Sequence, residues 1–325
     1  MKLVRLALAS ALVPLALLFT PALAAQKWDM PMAYPAGNFH SVNAKAFAGC
    51  VKTGTSGEID IVTHPGGTLF KGNDIKRAVQ SGQTQIGERL LSAHENENPL
   101  YGLDSIPFIA TSYDKSEKLW QAGKSEIAKS LDTQGLVLLY SVPWPPQGFY
   151  FKKEVNSAAD MQGVKVRSYN NSTGRISELS GMVPVQIEAA EITQALITGV
   201  IESLITSAVT GQDSKAWEQL SFFYKVNAWQ PRNFVIANKG AWDSLDEKMR
   251  AAISACAATA ETNGVKMSME ANDKALAALE KNGMEVLDPS EKLAGELRAF
   301  GDTMAADWKS KAGDAGKSVL EAYAK

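Results

Sequence analysis

"GVKVRSYNNSTGRISELSG" occupies residues 163–181. Val164 and Val166 alternate with Lys165, as in a strand with one covered face. Arg167 follows, and then Asn170 and Asn171, whose short amides suit a turn. "STGRISELSG" reads as a short helix stopped by Gly181. The stretch is thus one strand–turn–helix unit, and its style recurs on both sides. Upstream, "KWDMPMA" (27–33) reads as a strand, "NFHSVNAKAFAGCVKTGT" (38–55) as a helix, and "GEIDIVTHP" (57–65) as an alternating strand ending in a Pro-Gly-Gly turn. Downstream, "EAAEITQALITG" (188–199) reads as a helix with an acidic first turn, and "VIESLITSAV" (200–209) and "NFVIANK" (233–239) carry strands. The last third is mostly helical, led by a long amphipathic run over 246–283. Alternating strands and helices predict α/β layers with mostly parallel sheets. Two such clusters with a long helical tail predict two lobes and a cleft.

The 325 residues suffice for two domains, and 45% hydrophobic with 21% charged residues is ordinary for a soluble globular chain. A net charge of −2 argues against nucleic acid or an anionic membrane as partner, so any anion site must be local. Lys2 and Arg5, the apolar stretch Leu6 to Phe19 and the small-residue pattern Ala22-Leu23-Ala24 read as a signal peptide over residues 1–24. The mature chain is expected to be exported, periplasmic, soluble, monomeric and without membrane insertion. Its two cysteines, Cys50 and Cys256, lie in helical-looking segments. A bridge and two separate buried thiols both fit, because pairing depends on Cα separation in the fold.

Catalytic chemistry finds no support in the sequence. His40, His64 and His94 have no i,i+4 histidine partner, and no Cys-x-x-Cys occurs. His94 with Glu95 and Glu97 reads as a solvated polar loop. No Gly-x-Ser-x-Gly elbow and no phosphate loop is present. The expectation is no enzyme, no metal and no cofactor. Arg167 stands apart. It falls at the carboxyl end of a strand, where α/β folds hold their ligands, and a guanidinium meets a carboxylate through two parallel bonds. The alternative is a plain surface arginine. In "SVPWPPQGFYF" (141–151) the prolines end strand pairing, so Pro143 to Pro146 reads as a chain crossing. Trp144 there either lines a pocket or covers apolar surface. "SFFYKVNAW" (221–229) reads as core.

Taken in order, "SGQTQIG" (81–87), "SIPFI" (105–109), "DMQGVKVRSYN" (160–170), "LSGMVPVQI" (179–187) and "EITQALITGVIES" (191–203) form a pattern. It resembles the DctP-type solute receptors of tripartite ATP-independent periplasmic (TRAP) transporters. The resemblance implies a two-lobed periplasmic solute-binding protein fold, with crossing strands and a long bracing helix. It implies a receptor that closes on a small organic acid and docks on a small and a large membrane subunit. It also implies that Arg167 pairs with the ligand carboxylate and that Asn170 contributes to the pocket. Gln147 stands where many members have a second arginine, and Thr206 where an asparagine is common. Leu90 and Ala33 stand near positions that are polar in the sialic-acid branch. The remaining pocket candidates are Trp144, Ala189 and Tyr34, with Arg89 or Arg232 as a second cation whose direction strand alternation leaves open.

With so few polar partners, a monocarboxylate with an apolar or aromatic body is expected, since a second charge or buried hydroxyls would be left unpaired. A receptor for a dicarboxylate or sugar acid, a receptor coupled to another transporter type or a sensor, and a periplasmic enzyme acting on an organic acid are the alternatives. Domain limits are expected at 25–144 with 233–272, and at 145–232 with 273–325.

Overall fold

The computed structural model describes residues 25–325, so the expected signal peptide lies outside the described residues. The first lobe opens with β1 (Gln26–Pro31), α1 (Phe39–Gly54) and β2 (Ile59–His64), the two strands pairing in parallel. It continues with α2 (Ile75–Gln80), β3 (Ile86–Leu90), α3 (Tyr113–Asp132) and β4 (Leu136–Pro143). The chain then crosses at Trp144-Pro145-Pro146 into a six-stranded sheet. There lie β5 (Gln147–Phe151), β6 (Lys165–Ser168), α4 (Asn171–Leu179), β7 (Val183–Gln186), α5 (Ile192–Ile197), β8 (Ser203–Ser207), α6 (Ala208–Asp213) and β9 (Phe222–Tyr224). It returns as β10 (Arg232–Asn238), which inserts between β3 and β4. The chain ends with α7 (Lys239–Asp243), α8 (Glu247–Lys281), β11 (Glu285–Leu287), which adds to β9, and α9 (Glu291–Ala324).

The expectation of mostly parallel sheets holds for β1–β2, β6–β7, β6–β8 and β9–β11. It fails at the crossings. β10 runs antiparallel to both β3 and β4, and β5 antiparallel to both β8 and β9. A parallel neighbour needs a crossover that carries the chain back to its starting end. A strand entering directly from the other lobe has no such crossover.

Two helices brace the lobes. α8 is 35 residues long, roughly 50 Å at 1.5 Å per residue. It packs on α1 and β4 of the first lobe and on α6 and β11 of the second. Gly264 allows the close approach to β4, because a Cβ there would collide with the Val142 side chain. Residue 272, the expected domain limit, falls inside this unbroken helix. Cys50 of α1 and Cys256 of α8 form a disulfide, with Cα atoms 5.8 Å apart. The alternative left open by the sequence is therefore decided for the bridge. α9 contacts α3 in one lobe and α4 in the other.

Candidate functional site

Val166 is fully buried in the second lobe's core with Ile176, Ile205 and Trp229. Strand alternation then turns Arg167 and, two positions on, Tyr169 to the opposite side. That side faces a cavity between the lobes. The first lobe and the crossings contribute Tyr34, Arg89, Leu90, Trp144 and Pro231, and the second lobe contributes Gln147, Arg167, Tyr169, Glu188, Ala189, Thr206 and Thr210. The space among these side chains, including the part open to solvent, amounts to about 420 Å³.

Arg167 is only 5% exposed. Its Nε donates to Ile187 O at 3.0 Å, and its guanidinium carbon lies 4.7 Å from the centre of the Tyr169 ring. Among the described residues its terminal nitrogens make no hydrogen bond to protein, and they border the cavity. Burial pulls the Arg167 pKa below its ordinary value, partly offset by the electronegative tyrosines and Glu188 nearby. A buried guanidinium with an open fork is a receptor for one carboxylate.

Tyr169 is held rigidly. Trp229 Nε1 donates to its hydroxyl at 3.0 Å, the hydroxyl donates to Gln147 Oε1 at 3.1 Å, and Gln147 Nε2 donates to Pro145 O at 2.8 Å. Both ends of Gln147 are therefore satisfied within the protein. On the opposite wall Trp144 sits edge-on to Tyr34, their ring centres 4.7 Å apart, and its indole N–H donates to Asn233 Oδ1 at 2.7 Å. Among the described residues the hydroxyls of Tyr34 and Thr206 make no hydrogen bond to the protein. Burial pushes the Tyr34 hydroxyl up to about 12, so it remains a neutral donor and acceptor.

Of the residues singled out in the sequence, Arg167, Gln147, Thr206, Trp144, Leu90, Arg89 and Tyr34 all line this cavity, as does Ala189. Asn170 does not. Its Oδ1 caps α4 by accepting from Thr173 N at 2.8 Å, and its Nδ2 donates to Ser92 Oγ and Ser105 Oγ of the other lobe. Arg232 points elsewhere as well, donating to Ser141 Oγ and lying 3.2 Å from Glu117 Oε2. Tyr169, Glu188, Thr210 and Pro231 were not foreseen. Tyr169 had a usable signal, because it lies two residues beyond Arg167 in the same run. Glu188 had none, since it belongs to the turn before α5 and reaches the cleft only through the fold.

The sequence profile of bacterial extracellular solute-binding proteins, family 7 (DctP), matches residues 32–313. The chain belongs to that family. Its structure is similar to a TRAP solute-binding protein from a marine metagenome, described as specific for pyroglutamate. That likeness carries 51% identity and a TM-score of 0.91 over 92% of this chain and 99% of that one. DctP7 of Bordetella pertussis, an extracytoplasmic receptor that binds pyroglutamic acid, is 43% identical with a TM-score of 0.91 over 93% of this chain and all of its own. Among curated proteins, the monocarboxylate 2-oxoacid-binding periplasmic protein of Nostoc sp. is 22% identical over 82% of this chain and 75% of its own. The protein is thus an extracytoplasmic solute receptor of the TRAP type, with the two-lobed α/β fold of that group.

Proposed function

We propose that the protein captures pyroglutamate in the periplasm and delivers it to the small and large membrane subunits of a TRAP transporter. The observation that carries this reading is the charge and hydrogen-bond inventory of the cleft. Arg167 offers one open guanidinium fork, and the hydroxyls of Tyr34 and Thr206 offer two further uncommitted polar groups. Pyroglutamate carries one carboxylate, one lactam carbonyl and one lactam N–H on a compact apolar ring. The carboxylate suits Arg167, the lactam groups have the hydroxyls of Tyr34 and Thr206 within the same cavity, and Trp144, Leu90 and Ala189 supply apolar wall for the ring. The pyroglutamate-binding relatives at 43–51% identity support the same ligand.

The mechanism is binding without bond chemistry. Carboxylate pairing with Arg167 in a desolvated cleft favours the closed state over the open one. Closure moves the lobe that holds β1 to β4 and β10 against the lobe that holds β5 to β9, hinged where the chain crosses at Trp144–Pro146. The closed form is what the membrane subunits recognise. Calorimetry of ligand-stripped protein against pyroglutamate, 2-oxo monocarboxylates, succinate and glucuronate tests the reading. Pyroglutamate is expected to bind tightest, and tighter binding of succinate or glucuronate would overturn it.

A further inference from the structure

The cleft contains a second arginine, and the side chain beside it determines what that arginine does. Arg89 Nη2 lies 3.8 Å from Glu188 Oε1 and also contacts Asn73 Oδ1. Glu188 comes from the second lobe, yet its Oε1 accepts from Asn73 N of the first lobe at 3.1 Å. Gly72 leaves space for the pair. A Cβ there would stand 2.5 Å from Glu188 Oε2 and 3.0 Å from Arg89 Nη1. Arg89 is 5% and Glu188 19% exposed in their side chains, so water screens their charges only weakly. Both line the same cavity as Arg167, and both charges act on it.

These three are the charged side chains lining the cavity, and two cations with one anion leave a net charge of +1. One carboxylate on Arg167 brings that to zero. A second carboxylate would meet an arginine whose charge Glu188 already offsets, and a glutamate of its own sign. We propose that Glu188 restricts the cleft to ligands of a single negative charge, by offsetting the charge of Arg89 and repelling a second carboxylate. The proposal rests on the reading of the cleft as a monocarboxylate site. It gives Glu188 a specificity role that works by exclusion, the form of selectivity in which the wrong ligand is left with an unpaired charge.

The test uses ligand-stripped receptor, pyroglutamate and glutarate, a five-carbon diacid, in calorimetric titrations. Wild type should favour pyroglutamate by roughly a hundredfold or more. In E188Q the amide oxygen still accepts from Asn73 N, but the cleft now carries +2. Its preference for pyroglutamate over glutarate should shrink by roughly tenfold or more. In the double variant E188Q/R89Q the cleft returns to +1, and the preference should return toward the wild-type ratio. Unfolding temperatures without ligand should stay close to wild type in both variants.

If Glu188 were only a closure contact, E188Q would weaken both ligands equally and leave the ratio unchanged, which overturns the proposal. Equal wild-type affinity for glutarate and pyroglutamate overturns it too. If wild type ignores pyroglutamate but binds another monocarboxylate, the ligand assignment falls. The same ratio, measured with that acid and its diacid homologue, still tests the charge filter.

Discussion

Asn170 Nδ2 donates to Ser92 Oγ over 3.0 Å, across the line where the two lobes meet. The other end of the same amide, Oδ1, accepts from Thr173 N and Thr173 Oγ1 at 2.8 Å and begins α4. One side chain therefore starts a helix in one lobe and grips the other lobe. Asn170→Ser separates the two tasks. Serine caps a helix about as well as asparagine but is too short to reach Ser92 and Ser105. Two hydrogen bonds between the lobes, each worth about 1 kcal/mol net, are then lost. Ligand affinity should fall roughly tenfold or more, while the ligand-free unfolding temperature changes little. Calorimetry paired with thermal unfolding reads both.

Arg167→Ala leaves a buried carboxylate without its cation. Loss of one partner of such a pair is expected to weaken binding by about 2–5 kcal/mol, roughly thirtyfold to several thousandfold. Arg167→Lys keeps the charge but replaces a planar fork by a point charge that also cannot keep the Nε bond to Ile187 O. It should fall between the two. Unchanged pyroglutamate affinity in the alanine variant would remove Arg167 from the site.

Arg167 was legible because three local facts coincide there: alternation, a strand's carboxyl end, and a turn immediately after. The crossing expected from Pro143 to Pro146 was legible to within one residue: Pro145 and Pro146 lie outside the strands, whereas Pro143 still pairs with Arg232 as the last residue of β4, where a proline at a strand end is tolerated. The antiparallel insertion of β10 was not, since nothing in "NFVIANK" records which end of the first lobe's sheet the chain enters from. Arg89 and Arg232 illustrate the same limit. Each is an arginine in or at the edge of a strand, yet one lines the cleft and the other pairs with Glu117 beside Trp120. Only the sheet order separates them. Asn170, expected in the pocket, lies outside the cavity lining and caps α4 instead, because a cap and a ligand contact look alike in sequence.

The Cys50–Cys256 bridge closes a loop with a sequence separation of 206 between α1 and α8. A crosslink across so long a loop restricts the unfolded chain strongly, and its loss typically costs about 2–5 kcal/mol. It lies outside the set of residues that line the cleft. The double variant Cys50→Ser, Cys256→Ser should therefore unfold several degrees lower and bind pyroglutamate with nearly unchanged affinity. A large affinity loss at a temperature where the variant is folded would show that the α1–α8 contact contributes to closure.

Glu88 is buried behind the Trp144 wall. Its Oε1 accepts from Asn233 Nδ2 at 2.8 Å and lies 3.3 Å from His40 Nδ1, and its Oε2 has no partner among the described residues. Burial pushes its carboxyl up to about 7, and burial likewise holds His40 well below its usual range, so both are neutral in mildly acidic solution. A carboxyl whose folded pKa exceeds its unfolded value binds more protons when folded. Its contribution to stability is therefore complete below the unfolded value of 4.5 and is lost as pH rises through about 7. Glu88→Gln has the same shape, keeps an acceptor for Asn233 and never ionises. Relative to wild type, the variant should be level near pH 4.5 and gain on the order of 2 kcal/mol by pH 8. That difference should be visible as an unfolding temperature a few degrees higher in alkaline buffer alone. A constant offset at every pH would mean that Glu88 acts through packing rather than through its proton.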